Sequence, residues 1–486
     1  MSIPASRRKR KSKPKPQSKA PRFNQATHQD RRAKVEPPAL TPDQAVMSRL
    51  LPTATLSTLA RKWKADDVRQ RKLTCTLFFW MTILAFGPGG PISLHKVITY
   101  GLVASLMSGL GAAQVALSKE AVSENFRERP WQFFAAVFEY LLTGYATLWS
   151  GMAGQPNLLV VKDLQILLID ATVMRVAQQL IEVFPASANG KCPEWAALKL
   201  HTTFRLFRGV PEVLALTPQK KNERKIDFLR PLGQGVLYIF DLGYWTYTLF
   251  DTIIERHQHF ITRLRQDCNP LILAVYVGDP KWVGKRLKAL KVTGRTVDLL
   301  VNLSSANRAN PQMCHNVRLV GQWNRGAKRW HWYITSLLDW QTYPLTLIVD
   351  LYRLRWQIEI LFRNLKHVLR IANFVSTTEN GIRIQIYAAL IHYVLTHLII
   401  LKAAAETGRP LEDFSIPYCL EAVQQVLQQA RPLVLRGLTP NWEKLEERMV
   451  QAVIALGLRP NRKRTPLLTT MKRRLRRTAP LPAGGP

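Results

Sequence analysis

The sequence predicts an α/β protein, with a helical region before the strands and a mostly β segment set within them. Three observations carry this. Two short apolar runs, Leu164–Asp170 (LQILLID) and Gly235–Asp241 (GVLYIFD), are near-continuous in the manner of strands buried on both faces, and each ends on an aspartate. Several short β-type runs fall between Asp251 and Leu338. Beyond them Leu345–Arg370, Ile382–Ala405 and Pro417–Leu427 have helical apolar spacing.

Taken in order, residues 1–40 are rich in Lys, Arg, Pro and Ser and almost free of large apolar side chains, which predicts a disordered arm. Residues 41–156 read as a helical DNA-binding region. Ser118 is placed to cap a helix from Lys119 to about Arg129, with Pro130 as its stop. With the apolar stretch and glycines before it, this resembles a helix–turn–helix, although two helices around a glycine-containing turn occur in many helical domains. In residues 157–250, Trp195–Leu206 and Val210–Leu216 add two strands to the apolar runs, linked through Gly209 and Pro211. Residues 251–338 hold Leu271–Val277, Thr296–Asn302, Val317–Trp323 and Trp330–Thr335, separated by turn-like and basic stretches, and are expected to be a mostly β insertion. Residues 339–405 and 406–458 return to helix, and the basic, Pro-rich residues 459–486 predict a disordered tail.

Charge narrows the function. The chain has 486 residues, 69 Lys plus Arg and 33 Asp plus Glu, a net charge of +36. Residues 1–40 contribute +10 and residues 456–486 +9, which leaves +17 for residues 41–455. A basic body between two basic ends points to a polyanion, nucleic acid first and an acidic membrane surface as the rival. Membrane insertion is disfavoured. Leu73–Phe86 has 14 uncharged residues and is too short to span. Val97–Leu117 has 21, but Thr99, Gly101, Ser105, Ser108, Gly109, Gly111 and Gln114 dilute it, so a buried helix pair broken near Ser108–Gly111 is expected. No apolar segment closely follows the basic N-terminus, so a secretory signal is not expected. The five cysteines are odd in number, scattered and free of C-x-x-C spacing. Neither a zinc site nor a disulfide framework is indicated, and a reduced cytoplasmic, nucleoid-associated setting fits.

A carboxylate closing an apolar strand is costly to desolvate unless it is paired or bound to a cation, and sheet ligand sites lie at the carboxyl ends of strands. Either aspartate alone is explained by a loop cap or an Asx turn; two in similar settings favour a metal site. Tyr352–Lys366 (YRLRWQIEILFRNLK) adds to this. At about 100° per residue, Tyr352, Arg355, Glu359 and Lys366 fall within an arc of about 60° along roughly 21 Å of helix, while Ile358, Leu361, Leu365, Val368 and Leu369 lie on the other side. An (i, i+4) ion pair on a solvated face accounts for Arg355 and Glu359, but not for the phenol and the lysine in line with them.

These four residues match the Y-(2)-R-(3)-E-(6)-K signature of the DDE transposases of bacterial insertion sequences, and the chain resembles that cut-and-paste family from about 160 to 405. IDAT at Asp170, FDLGYW around Asp241, FITRL at Phe260–Leu264 and RWQIEILFRNLK around Glu359 agree with it. Leu242 departs from it, standing where many relatives carry a basic residue. The resemblance implies a ribonuclease H-like mixed sheet flanked by helices, whose Asp170, Asp241 and Glu359 are catalytic and hold two Mg²⁺ ions, with Mn²⁺ able to substitute. It implies DNA cleavage at insertion-sequence ends and joining of the 3′-hydroxyl ends to target DNA. Tyr352, Arg355 and Lys366 become DNA ligands, terminal inverted repeats and target DNA the partners, and a homodimer on DNA the assembly. A flipped base would stack on a tryptophan of the insertion, with Trp323, Trp330 and Trp332 as candidates whose simpler role is strand packing. His201 is expected to be structural. The rival readings are a catalytically inactive DNA-binding derivative, a structure-selective nuclease on the same core and a membrane-surface protein.

Overall fold

A computed structural model describes residues 35–37, 50–67, 73–86, 90–107, 117–150, 160–161, 164–187, 195–206, 208–221, 235–292, 294–304, 313–435 and 441–459. The expected basic tail after 459, most of the arm, the Ser108–Gly111 break and Cys192 lie outside the described residues.

The region before the strands is helical: α1 (Thr53–Lys62), α2 (Cys75–Leu84), α3 (Leu94–Thr99), α4 (Gly101–Met107), α5 (Lys119–Glu128) and α6 (Trp131–Ser150). Val97–Leu117 is thus interrupted at Tyr100, where α3 ends and α4 begins. The Ser118 side chain caps α5 by accepting from the Ala121 amide, and Arg129 leaves helical geometry before Pro130. The exposed side of α5 carries Glu120 and Ser123 beside Lys119 and Arg127, a balance of charge that gives phosphates little to bind. Arg129 is buried instead, donating to Asn125 and to the Ala65 carbonyl and pairing with Asp67.

Strand sequence then builds one sheet. Its strands are β1 (Val160–Val161), β2 (Leu164–Arg175), β3 (Ala197–Arg205), β4 (Val210–Pro218), β5 (Val236–Phe240), β6 (His259–Arg263), β7 (Leu271–Val277), β8 (Thr296–Asn302), β9 (Val317–Asn324) and β10 (Arg329–Thr335). The order is β4-β3-β2-β5-β6-β10-β9-β8-β7, with β1 folded back on β2. β2, β3 and β4 pair antiparallel, whereas β5 and β6 are added parallel to β2. Side chains alternate between two cores. Ile166, Leu168, Leu237, Ile239 and Ile261 belong to one, packed with the helices. Leu167, Ile169, Tyr238, Phe240 and Phe260 belong to the other, closed by Phe250 of α7 (Tyr247–Glu255), which stacks on Phe240 and Phe260.

After β10 come α8 (Leu345–Arg353), α9 (Trp356–Arg363), a π turn over Asn364–Val368, α10 (Glu379–Thr407), α11 (Ile416–Leu435) and α12 (Trp442–Leu456). Helix α10 is long and apolar enough to cross a membrane, but 94% of that stretch is buried inside the protein, the environment of a central core helix.

Three sequence expectations are corrected. β2 does not end at Asp170; pairing with β3 continues to Arg175 opposite Ala197, which leaves the aspartate mid-strand. The insertion does not begin at 251, because α7 packs on the core sheet and β6 pairs with β5. Its strands also extend the core sheet through β10 on β6 rather than forming a sheet apart. Finally, Leu345–Arg370 is not one helix. The Arg355 amide bonds the Tyr352 carbonyl (3.0 Å) and the Ile358 amide that of Arg355 (3.2 Å), i→i−3 spacing that tightens the chain between α8 and α9.

Candidate active site

The last parallel pair between β2 and β5 is Ile169 with Phe240, so Asp170 and Asp241 come next on neighbouring strands, about 4.8 Å apart in backbone spacing. Alternation puts both on the face of Ile166, Leu168, Leu237 and Ile239, the face covered by helices. Glu359 is reached from above, on α9, which packs on β2. Arg355 joins the groups: its guanidinium donates to Asp170 Oδ2 at 3.0 Å and is ion-paired with Glu359. On the other side Arg263 donates to Asp241 Oδ1 at 2.8 Å, and the Tyr352 hydroxyl lies 3.4 Å from the same oxygen. The amides of Ala171 and Leu242 each donate to the carboxylate of the preceding aspartate at 2.8 Å.

The aspartates are tuned apart. Burial, joined by the charges of Asp241 and Glu359, pushes Asp170 up to about 6 against the pull of the Ala171 amide and Arg355. Burial also acts upward on Asp241, but the Arg263 hydrogen bond and the Leu242 amide outweigh it and hold that carboxyl below its ordinary value. Burial raises the Tyr352 phenol and lowers Lys366. Above an unfolded value near 3.8, Asp170 keeps its proton in the fold, so its ionisation subtracts stability as pH rises from there to about 6. Cation binding runs the other way, since it needs the carboxylate. Divalent-ion affinity should therefore tighten across pH 5 to 7, about one unit either side of this value. Isothermal titration checks this, and equal affinity at the two ends would contradict it.

The sequence-predicted residues are placed as follows. Asp170, Asp241 and Glu359 converge, with Tyr352 and Arg355 turned inward onto them. Lys366 sits apart on the π turn, where its ammonium donates to the Val173 carbonyl at 2.8 Å. Trp323, Trp330 and Trp332 pack on one another across the β9–β10 pair, Trp330 on Trp332 with centroids 5.1 Å apart. His201 is buried, its ring nitrogens facing Tyr244 and Thr217, a satisfied structural residue. Arg263 was missed as a site residue. Its signal lay in FITRL, since Ile261 and Arg263 share a strand face.

The donor set is carboxylate oxygen throughout, the hard ligands Mg²⁺ takes. A guanidinium already bridges two of the three, standing in for positive charge at the site. In chemistry the residues fit a divalent ion. In spacing they are set by Arg355: among the described residues no three His, Cys, Asp or Glu side chains are close enough to hold a metal.

Residues 162–395 match the family model described as a transposase DDE domain. That span holds all three carboxylates. The chain is similar to a putative transposase, y4zB, of Sinorhizobium fredii, 27% identical over 46% of this chain and 57% of that protein. It is also similar to the transposase of insertion element IS231F of Bacillus thuringiensis, 24% identical over 59% of this chain and 66% of that protein. A putative transposase for IS4SA of Synechocystis is 38% identical over a short stretch, 12% of this chain and 18% of that protein. The matches to y4zB and IS231F thus span less than two thirds of either relative's length.

Proposed function

We propose that this protein is a DNA transposase that cleaves the ends of its insertion sequence by metal-dependent phosphodiester hydrolysis and joins the 3′-hydroxyl ends to target DNA. The observation that carries it is the convergence of Asp170, Asp241 and Glu359, remote in sequence, on one face of the sheet within the span of the DDE-domain match. Three antiparallel strands continued by two parallel ones, with carboxylates on the adjoining pair, also support a ribonuclease H-like core.

In this reading Asp170, Asp241 and Glu359 hold two Mg²⁺ ions, with Mn²⁺ able to substitute. When bound, such ions stabilise both the entering and the leaving oxygen of an in-line displacement. Before loading, Arg355 and Arg263 neutralise the carboxylates. With cations bound, Arg355 is released to offer its bidentate fork to a DNA phosphate. Tyr352 donates to a phosphate oxygen, and Lys366 supplies a point charge once drawn from Val173. Two ends to be paired call for two copies of the chain on DNA.

The test is direct. The full chain, given Mg²⁺ and the DNA that flanks its gene, is expected to nick at the element's ends and to yield joined product with a target duplex. Absence of nicking on any flanking end would overturn the reading. The charge adds a prediction: nonspecific duplex affinity should drop by orders of magnitude between about 50 and 200 mM salt. A flat response in a binding titration would contradict a phosphate-contacting surface.

A further inference from the structure

Behind the helix that carries Glu359 lies a cavity of about 560 Å³, walled by α9, α10, the β3–β4 turn and the start of α11. It does not belong to the carboxylate site: Trp356, Ile360 and Arg363 line it, on a different face of α9 from Arg355 and Glu359. Its volume suits an organic ligand.

The lining has three features. Two aromatics sit at its mouth and are unusually exposed for their size, Trp356 at 59% and Tyr418 at 44%. Cations surround them, Arg363 and Arg459 with Arg208 deeper in, against one acid, Glu412. The deeper wall presents buried polar atoms without hydrogen-bond partners: His397 Nε2, Asn364 Oδ1 and Arg208 Nε. His397 and Asn364 are 7% and 2% exposed. Buried polar atoms are nearly always paired, so three orphans around one cavity mark a place for a polar guest. They include a fixed donor, a fixed acceptor and an imidazole nitrogen that serves as either.

Resting on the DNA reading above, we propose that this cavity is a second DNA subsite that takes an unpaired nucleobase of a single strand. The base would stack on Trp356 and Tyr418, present its edge to Asn364, His397 and Arg208, and leave its phosphates to Arg363 and Arg459. A planar heterocycle with donors and acceptors on its edge and an anionic backbone answers all three features together; an apolar guest or a simple anion answers one. The sequence agrees, because the chain runs on from Arg459 with eight further Lys and Arg and no acid through residue 486, which concentrates a polyanion at this mouth.

The experiment uses the full chain and a single-stranded oligothymidine carrying one 5-iodouracil, crosslinked by light and mapped by mass spectrometry, beside binding titrations at about 50 mM salt. Crosslinks are expected in the peptides of Trp356 or Tyr418. Trp356→Ala is expected to weaken single-strand affinity by about tenfold and Trp356→Phe to restore most of it, with nonspecific duplex affinity close to wild type. Trp356 is exposed, so the change leaves the core intact; a thermal melt verifies this. Unchanged single-strand affinity in both Trp356→Ala and Tyr418→Ala, or crosslinks confined to Trp323, Trp330 or Trp332, would overturn the subsite and leave the transposase reading standing. Failure of the wild-type chain to bind either single strand or duplex would overturn both.

Discussion

Replacing Asp170, Asp241 or Glu359 with its amide, one at a time, is expected to lower strand cleavage by about a thousandfold or more, while DNA binding stays near wild type. Metal-borne charge stabilisation of a phosphoryl transition state is worth several kcal/mol, and each 1.36 kcal/mol is about a factor of ten in rate. An amide has nearly the shape of the carboxylate but lacks the charge that holds a divalent ion. Binding is spared because the basic ends and body supply most of the attraction to phosphate. The folded state is also expected to tolerate Asp170→Asn, since it relieves burial and like-charge crowding at a position where both raise the acid's pKa. Cleavage and binding assays on the same preparations separate the effects, and a variant that cuts at the wild-type rate removes its residue from the site.

The second large effect is on stability and lies away from the chemistry. Asp298 of β8 and Arg318 of β9 form an ion pair with side chains 2% and 0% exposed. Arg318 Nε donates to Asp298 at 2.7 Å, and its Nη1 donates to the Tyr343 carbonyl at 2.6 Å, clamping the segment that leads into α8 and so to Tyr352. Asp298→Ala strands a guanidinium in the core, which costs about 3–5 kcal/mol. The double change Asp298→Leu with Arg318→Met should recover most of that, because it removes both charges together. Denaturant midpoints on the two variants check this; a loss below about 1 kcal/mol for the single change would show that the pair is not dry.

Much of the site was legible because it rests on short-range patterns. Apolar runs closing on Asp170 and Asp241 gave two adjacent parallel strands, and the Arg355–Glu359 spacing gave the ion pair. What stayed hidden depends on pairing across the chain. Asp170 lies mid-strand because β3 pairs beyond it to Arg175, which nothing local in IDATVMR announces. The break before Arg355 carries no proline or glycine; it appears in the tight bonds to Tyr352 and Arg355 carbonyls. An ideal helix therefore aligned Lys366 with Glu359, whereas the π turn carries its ammonium to Val173. The union of the insertion with the core sheet likewise rests on β10 finding β6, strands joined only through the whole insertion.

Crystals of the full chain soaked in Mn²⁺ and measured at the manganese absorption edge bear most directly on the central claim. Two anomalous peaks about 4 Å apart, bounded by Asp170, Asp241 and Glu359 with Arg355 swung off Asp170, are the predicted result. Loaded crystals with no peak at these carboxylates, and the Arg355 bridge still closed, would contradict it.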